Sequence, residues 1–491
     1  MVNKFYITTA IDYVNSDPHL GHAYEKVCAD IIARWNRLNE KEVFFLTGTD
    51  ENAQKNAKAA KIAKVPIKEF VDKNALKFRN LCVKLKISND YFIRTTEPKH
   101  VKVAQLIFQK LYDKKEIYKG NYEGLYCTSC ENFYLEKDLD NGKCPIHKIK
   151  VEYLKEESYF FKLSKYEKDI LKLLNNKEFI IPENKMIELI NRIKKDGLKD
   201  LSVSRRNLDW GIDVPFDKNH KIYVWIDALS NYISAIDYPN GDNFKKFWPA
   251  NVHLIGKDIT WFHCVIWPAI LMATNIKVPE KVLVHGFINL KGEKLSKTSG
   301  NVVNPIKLID KYGLDTLRYF LLREIHFGQD GDFSEEALKE RLNNELANDL
   351  GNLVSRVLTI CEKNLGSKIK KSDVDKELSN KLELKTIQKL MDNYELTESL
   401  NTIWKFVKEC NKHINDEKPW EMKGETLNKH VYTLLEAIRI ISILLSSFIP
   451  ETCEKINKFL GVNQGYLKDC KFGLVKEYKI SKGEILFKKI K

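Results

Sequence analysis

The sequence has no long apolar run and no framework of paired cysteines. None of its apolar stretches approaches the roughly 20 residues that cross a bilayer, and the first residues (MVNKFYITTAIDY) lack a charged leader followed by an apolar segment. Seven of the ten cysteines are scattered singly, which is typical of reduced thiols rather than of disulfides. We therefore expect a cytoplasmic protein without a membrane partner.

The chain does have enough residues for several cores, and it carries an excess of positive charge. Its 491 residues are 43% hydrophobic, which suits about three domains of ordinary size. The 81 basic and 67 acidic side chains give a net charge of +14 and a pI near 9.0. This balance favours a polyanionic partner such as nucleic acid. Lysine-rich surfaces also occur without such a partner, so charge alone leaves both interpretations open.

The pattern of apolar residues changes near residue 330. Before it, short β-rich runs alternate with amphipathic helices, and the runs are KFYITT (4–9), VFFLTGT (43–49), KIYVWI (221–226), VHLIG (252–256) and VLVHGF (282–287). After it, LANDLGNLVSRVLTIC, LNTIWKFVKECNKHI and VYTLLEAIRIISILLSSFI have helical spacing, and SKIKKSDVDKE (367–377) reads as a solvated connection. The pattern predicts an α/β fold with a parallel sheet, followed by an all-α helical bundle.

A cysteine-rich segment interrupts the α/β alternation. The predicted domains are therefore the first half of a Rossmann-like domain (1–115), a connective insertion (116–215), the second half of the Rossmann-like domain (216–333) and a helical domain (334–491). The insertion contains Cys127-Thr-Ser-Cys130 and, after thirteen intervening residues, Cys144-Pro-Ile-His147. Such paired corners suit four tetrahedral ligands of one structural zinc ion. The alternative is that the thiols are merely buried and His147 is incidental.

The first strand is followed by a motif suited to binding phosphate. In TTAIDYVNSDPHLGH, Asp17 is expected to cap a helix and Pro18 to begin it, which places His19, Gly21 and His22 in the first turn. A helix amino end offers unpaired N–H groups to phosphate, and glycine allows close approach. In isolation, the two histidines are more typical of a helix cap or a metal site.

A second motif is the Gly-flanked loop GEKLSKTSGN (292–301), which carries Lys294 and Lys297. Lysines on such a loop can reach triphosphate oxygens and stabilise the charge that develops on leaving pyrophosphate. Taken alone, the pair is more typical of an exposed surface loop.

Together HLGH and KLSKT resemble the HIGH and KMSKS signatures of class I aminoacyl-tRNA synthetases. Within that class, four stretches resemble methionyl-tRNA synthetases: AIDYVNSDPHLGH, FLTGTDENAQK, YVWIDALSNY with HLIGKDITWFHCVIWPA, and NKHINDEKPW. The resemblance implies that ATP, bound with Mg²⁺, activates L-methionine to methionyl-adenylate. The methionyl group would then pass to the 3′ end of elongator and initiator tRNA(Met).

The resemblance also implies the site residues. His19, His22, Lys294 and Lys297 would be catalytic and, with Gly21, Gly256 and Asp258, would bind ATP. Asp50 would hold the methionine ammonium, and aromatic walls suit a polarizable thioether. The remaining pocket residues would be Ile11, Tyr13, Trp225, Ala228, Tyr232, Ile259, His263 and Trp267. In the helical domain, Asn352, Arg356 and Trp420 would read the anticodon, as proteins read unpaired bases.

Several positions depart from the family pattern: Asp12 and Leu229 stand where many relatives have proline, and Leu295 and Thr298 alter the loop signature. None removes a charged group or a ligand from the implied chemistry. Two alternatives stay open at this point, a cysteinyl-tRNA synthetase and a non-catalytic tRNA-binding protein. Because no further barrel domain follows ILFKKIK, a monomer is expected.

Overall fold

A computed structural model describes residues 3–134, 136–146, 148–290, 293–294, 303–481 and 483–490. The chain forms two compact units. One contains Lys4–Ala29 and Val43–Gly286, and the other contains Asp30–Glu42 and the described residues from Phe287 onward. No helix among the described residues is long and apolar enough to cross a membrane.

The first unit is built on a parallel sheet, as predicted. Its strand order is β2-β3-β1-β13-β14-β8, with β4 paired to β3, and registers such as Ile7 with Val252 are parallel. The strands of the chain are β1 (Lys4–Thr9), β2 (Asp12–Tyr13), β3 (Glu42–Asp50), β4 (Tyr91–Arg94), β5 (Ile117–Cys127), β6 (Asn132–Tyr134), β7 (Glu152–Phe161), β8 (Ile180–Ile181), β9 (Leu201–Ser202), β10 (Ser204–Arg206), β11 (Asp213–Val214), β12 (Asp217–Ile222), β13 (Val252–Gly256), β14 (Val282–His285), β15 (Ile288–Leu290), β16 (Glu293–Lys294), β17 (Gly331–Asp332), β18 (Lys368–Lys370) and β19 (Glu477–Lys479).

Between β4 and β13 the chain forms small antiparallel sheets, β6-β5-β7-β9 and β10-β12-β11. The α-helices among the described residues are α1 (Leu20–Leu38), α2 (Gln54–Ala63), α3 (Ile67–Lys84), α4 (Pro98–Asp113), α5 (Glu167–Leu174), α6 (Glu183–Asp196), α7 (Val224–Leu229), α8 (Asn231–Ser234), α9 (Asp242–Phe247), α10 (Trp267–Ala273), α11 (Pro305–Tyr312), α12 (Leu314–Glu324), α13 (Glu335–Glu340), α14 (Asn352–Asn364), α15 (Lys376–Ser379), α16 (Leu384–Asp392), α17 (Leu396–Glu417), α18 (Gly424–Leu445) and α19 (Pro450–Leu460).

The second unit is mainly helical, as predicted, with α17 and α18 as its longest helices. Seventeen of the twenty-two residues of α18 are buried, polar ones such as Glu436 and Arg439 included, so little of this helix is left exposed. The segment predicted as a solvated connection instead contains β18, which pairs antiparallel with β19 through Ile369 and Tyr478. The partner strand β19 lies about a hundred residues further along the chain, so the charge pattern around β18 does not indicate the pairing.

Two local predictions near the sheet were wrong. The run KIYVWI is not one strand, because β12 ends at Ile222 and α7 begins at Val224. Its last residues are buried on all sides, and a short apolar run without a period does not distinguish strand from helix. Likewise α1 begins at Leu20 rather than at Pro18, since the N–H of Ala23 donates to the carbonyl of His19.

Candidate active site

His19 and His22 lie against each other at the amino end of α1, with ring centroids 3.8 Å apart. The N–H of Gly21 donates to Nδ1 of His19 (3.1 Å), and the N–H of His19 donates to Nδ1 of His22 (3.0 Å). Each neutral imidazole therefore carries its proton on Nε2. Burial, followed by the neighbouring His19, lowers the pKa of His22 well below its usual value. The pair thus presents N–H donors at a helix amino end, which is a favourable place for phosphate.

A buried ion network lies beneath these histidines. Lys26 is 2.9 Å from Asp12 and 2.8 Å from Glu25, and Glu25 is also 3.1 Å from Nε2 of His285. Nε2 of His22 is 3.9 Å from Asp12. Burial raises the pKa of Asp12 to about 7. Asp12 is therefore held by a buried lysine close to the HLGH motif.

Gly256 ends β13 and Asp258 follows two residues later, at the carboxyl edge of the sheet where open α/β folds bind ligands. A Cβ atom on Gly256 would lie 2.9 Å from Oδ1 of Asp258 and within 3.8 Å of the His285 ring. Glycine is therefore needed for the carboxylate to fold back beside the strand end.

Asp50 ends β3 and is paired in register with Tyr13 of β2. Its side chain is buried, and among the described residues its Oδ1 atom has no hydrogen-bond partner. Burial and the nearby Asp227 raise the pKa of Asp50 well above its usual value. A buried carboxylate in this state is costly, and a cation arriving beside it would relieve the cost.

His263 and Tyr232 form a polar contact within an aromatic cluster that also contains Trp225, Phe262 and Trp267. The carbonyl of Ile259 lies 3.0 Å from Nδ1 of His263, so Nδ1 carries the proton. The Tyr232 hydroxyl then donates to Nε2 of His263 (2.7 Å). Burial lowers the pKa of His263 to about 4, which keeps the ring neutral. Both side chains are consequently held in one orientation.

Indole rings supply most of the surrounding wall. Trp225 is stacked on Phe262 (3.7 Å between centroids, 8° between planes), and the Trp267 centroid lies 6.2 Å from that of Tyr232. The Nε1 atoms of Trp225 and Trp267 are buried and lack a hydrogen-bond partner in the described part of the chain. Donors left unpaired in a buried site are unusual in folded proteins and indicate a place for a ligand or water.

The other predicted pocket residues lie around this cluster. Ile11, Tyr13 and Ile259 are partly exposed and pack against the same hydrophobic core as Trp225, Tyr232 and Trp267. Ala228 is buried in α7, one turn after Trp225. The sequence-predicted pocket residues are thus carried by the turn between β1 and β2, by β2, β3, α7 and α8, by the segment after β13 and by the start of α10.

Lys55 is a residue to which sequence reasoning gave no role. Its ammonium lies 3.1 Å from the centroid of the Tyr13 ring and donates to the carbonyl of Ser129 (3.0 Å). Its backbone N–H donates to Glu131 (3.1 Å), which directly follows Cys130. Burial lowers the pKa of Lys55 to about 8. The available signal was its position in FLTGTDENAQK, five residues after Asp50.

Three of the predicted zinc ligands converge. The Sγ atoms of Cys127, Cys130 and Cys144 all lie within 4.8 Å of one another, and Cys130 and Cys144 are 3.8 Å apart. Two thiolates at about 2.3 Å from a tetrahedral zinc are separated by about 3.8 Å, so the spacing fits the ion. His147 lies outside the described residues.

The KLSKT loop is described only at its beginning. The backbone of Lys294 belongs to β16, which pairs antiparallel with β15, and Lys297 lies outside the described residues. The proposed roles of both lysines therefore rest on the motif.

The three predicted anticodon-reading residues belong to the helical unit. Asn352 begins α14 and is exposed, and Arg356 lies one turn later. The Arg356 guanidinium is 5.8 Å from the centroid of the Trp420 ring and donates to Asn415 (2.8 Å). Trp420 is 48% exposed, which is unusual for so large an apolar ring and leaves a face for stacking.

Comparison with known proteins gives consistent matches. A family model described as "tRNA synthetases class I (M)" matches residues 5–153 and 134–358, and one described as "Anticodon-binding domain of tRNA ligase" matches residues 375–485. A methionine–tRNA ligase of Caldanaerobacter subterraneus subsp. tengcongensis is 47% identical over 100% of this chain and 79% of that protein. The ligase of Thermotoga maritima is 43% identical over 99% of this chain and 80% of that protein.

Solved structures of Mycobacterium tuberculosis methionyl-tRNA synthetase are also similar. The complex with methionyl-adenylate has a TM-score of 0.95 at 36% identity, covering 99% of both chains. The free-state structure has a TM-score of 0.87 at 33% identity, covering 100% of this chain and 99% of that one.

The parallel sheet, the HLGH helix end and the helical unit define a class I aminoacyl-tRNA synthetase. The sequence identity to methionine–tRNA ligases over nearly the whole chain then defines the family within this class. The chain belongs to the methionyl-tRNA synthetase family, the methionine–tRNA ligases. The cysteinyl alternative is excluded by this membership, and the non-catalytic alternative loses its support.

Proposed function

We propose that the aromatic cluster and Asp50 form the methionine site of this enzyme. The observation that carries the proposal is the unpaired, buried carboxylate oxygen of Asp50 at the carboxyl edge of the sheet. The methionine ammonium, placed beside this oxygen, would donate the hydrogen bond that no described residue provides to it and would supply a positive charge. Trp225 and Trp267 form apolar walls that suit a thioether, while His263 and Tyr232 hold a fixed shape. Ile11, Tyr13, Ala228 and Ile259 complete the pocket.

ATP occupies the adjoining part of the sheet edge. The amino end of α1 with His19, Gly21 and His22 holds phosphate, Gly256 and Asp258 border the ribose, and the motif assigns Lys294 and Lys297 as ammonium donors to the triphosphate. Mg²⁺ that arrives with ATP neutralises phosphate charge. The methionine carboxylate attacks the α-phosphorus, and the imidazole and ammonium donors stabilise the charge on departing pyrophosphate.

The second step needs no enzyme nucleophile. The 2′-hydroxyl of the terminal tRNA ribose attacks the carbonyl of methionyl-adenylate, and AMP leaves. Elongator and initiator tRNA(Met) are both substrates in this proposal. Their anticodons contact Asn352, Arg356 and Trp420, where the exposed indole stacks on an unpaired base. The enzyme acts as a monomer in the cytoplasm.

One zinc ion is held by Cys127, Cys130, Cys144 and His147. With four protein ligands the ion has no open position, so it serves structure rather than chemistry. Glu131, which directly follows Cys130, connects the cysteine cluster to the methionine site. Its carboxylate accepts hydrogen bonds from the backbone N–H of Lys55 and from the Tyr126 hydroxyl. The Tyr223 hydroxyl also donates to the carbonyl of Glu131.

The test is exchange between pyrophosphate and ATP, measured separately with each of the twenty amino acids. The proposal predicts exchange with methionine, strongly reduced in Lys297→Ala and in His22→Ala because each removes a donor to the leaving group. An exposed-lysine control, Lys245→Ala on α9, should match the wild type. Exchange supported better by another amino acid would overturn the pocket assignment, and full activity in Lys297→Ala would overturn the role of the loop.

A further inference from the structure

Outside the aminoacylation site, the helical unit contains a second cluster of metal-ligating side chains. His413 lies on α17, His430 lies on the facing α18, and Asp375 immediately precedes the short helix α15. One ligand atom from each of the three lies within 4.8 Å of the others. The cluster joins three segments that are 17 to 55 residues apart in sequence.

The distance between the two imidazoles suits a shared metal ion. Nε2 of His413 and Nδ1 of His430 are 3.2 Å apart, and the rings are nearly parallel, with 27° between their planes. Nitrogens bound at about 2.0–2.1 Å to one tetrahedral zinc are separated by about 3.3 Å. The observed 3.2 Å separation is therefore close to the separation of two imidazole nitrogens on one tetrahedral zinc ion.

The protonation states are those that a metal requires. Burial and the adjacent His430 lower the pKa of His413, so its imidazole is neutral near pH 7. Burial acts to raise the pKa of Asp375, but hydrogen bonds from the N–H groups of Leu378 and Glu377 outweigh it and lower the pKa. A neutral His413 imidazole and an ionised Asp375 carboxylate are forms in which these side chains can bind a metal ion.

The cluster is also held in place by neighbouring groups. Oδ1 of Asp375 accepts from the N–H of Glu377 (2.8 Å), and the backbone N–H of Asp375 donates to the Thr433 hydroxyl on α18 (2.9 Å). On the far side of His430, Nε2 lies 3.8 Å from the Glu417 carboxylate. At 3.8 Å this is an ion-pair contact rather than a hydrogen bond, and a closer approach of Glu417 would give His430 the carboxylate partner that orients most metal-bound histidines.

We propose that Asp375, His413 and His430 bind one divalent transition-metal ion, for which zinc is the natural probe, in addition to the ion of the cysteine cluster. Three protein ligands leave a position for water, so binding is weaker and more reversible than at a four-ligand site. The ion braces α15 against α17 and α18. Because α17 ends at Glu417, three residues before Trp420, occupancy also stiffens the chain that presents the proposed anticodon-stacking ring.

The experiment uses the full-length enzyme with one equivalent of zinc already bound. Cobalt(II) or zinc is then titrated while calorimetry follows binding, and the absorption spectrum shows whether cobalt has thiolate ligands. We expect one further equivalent of cobalt without thiolate charge-transfer absorption, and a higher melting temperature with added zinc. His413→Gln and His430→Gln should abolish this equivalent, and Glu417→Gln should weaken it by about 10- to 100-fold, as loss of a partner behind a ligand does.

Two further variants keep the result interpretable. Asp375→Asn retains an oxygen that can cap α15 but loses the charge, so it should weaken binding even if the histidine variants fold poorly. His326→Gln changes a histidine of the same unit that is 56% exposed and 3.7 Å from Glu398, and it should bind metal like the wild type. The proposal is overturned if no second equivalent binds, or if that equivalent persists in His413→Gln and Asp375→Asn.

Discussion

Replacing Asp50 with asparagine separates substrate binding from folding. The side chain keeps its shape but loses the charge that the methionine ammonium needs. Removing one partner of a buried charge pair costs about 2–5 kcal/mol, and each 1.4 kcal/mol is about tenfold, so kcat/KM for methionine should fall by about 30- to 4,000-fold. Steady-state pyrophosphate exchange over a range of methionine concentrations measures this loss.

Stability should change in the opposite direction. Because the pKa of Asp50 is raised in the folded enzyme, burial of the ionised form opposes folding, and this unfavourable contribution grows as the pH rises from the ordinary pKa of an aspartate towards the raised value. The ligand-free Asp50→Asn enzyme should therefore melt at the same temperature as the wild type or higher at pH 7.5. The difference should vanish below the ordinary pKa of an aspartate.

Asp242→Asn is the matched control, since Asp242 is a fully exposed carboxylate of the same unit. It should leave both activity and melting temperature unchanged. The reasoning is refuted if Asp50→Asn retains nearly wild-type kcat/KM, or if its activity is lost together with a large fall in melting temperature.

Further predictions concern the pocket, the anticodon face and the metal. Tyr232→Phe leaves Nε2 of His263 without its donor, which costs about 1–3 kcal/mol and should raise the KM for methionine about 5- to 100-fold in exchange assays; an unchanged KM would count against the contact. Trp420→Ala should raise the KM for tRNA about 5- to 100-fold by loss of stacking, while exchange without tRNA stays at the wild-type rate. Cys130→Ser should lose the zinc of the cysteine cluster and lower the urea midpoint, and metal analysis that still finds a full equivalent there would contradict the assignment. The lowered pKa of His263 means that its contribution to stability is present above about pH 6.5 and is lost as the pH falls towards 4, so unfolding midpoints should decline across that interval.

Features fixed by local patterns could be predicted from the sequence. The strand KFYITT lies at Lys4–Thr9 and VHLIG at Val252–Gly256, because buried parallel strands are short apolar runs bounded by breaks in the pattern. The parallel sheet and the helical end of the chain are confirmed. The convergence of Cys127, Cys130 and Cys144 was also expected from the sequence. A Cys-x-x-Cys pair followed by a Cys-x-x-His pair is the spacing of a zinc site.

What could not be predicted depends on contacts distant in sequence. The cap of α1 moved from Asp17 to His19 because the imidazoles accept the first backbone N–H groups, and such a cap has no propensity signal. Lys55 is placed by the carbonyl of Ser129, which lies 74 residues away. His413 and His430 read as ordinary polar positions of two helices until the packing of α17 on α18 brings them within 3.2 Å.

The central claim is that this enzyme attaches methionine to tRNA through the Asp50 pocket. It is tested most directly by charging a tRNA(Met) transcript with labelled methionine and separating the aminoacylated product, with wild type and Asp50→Asn side by side. The account predicts near-complete charging by the wild type, very slow charging by the variant, and no product when cysteine or leucine replaces methionine. Charging with another amino acid, or equal rates for both enzymes, would contradict it.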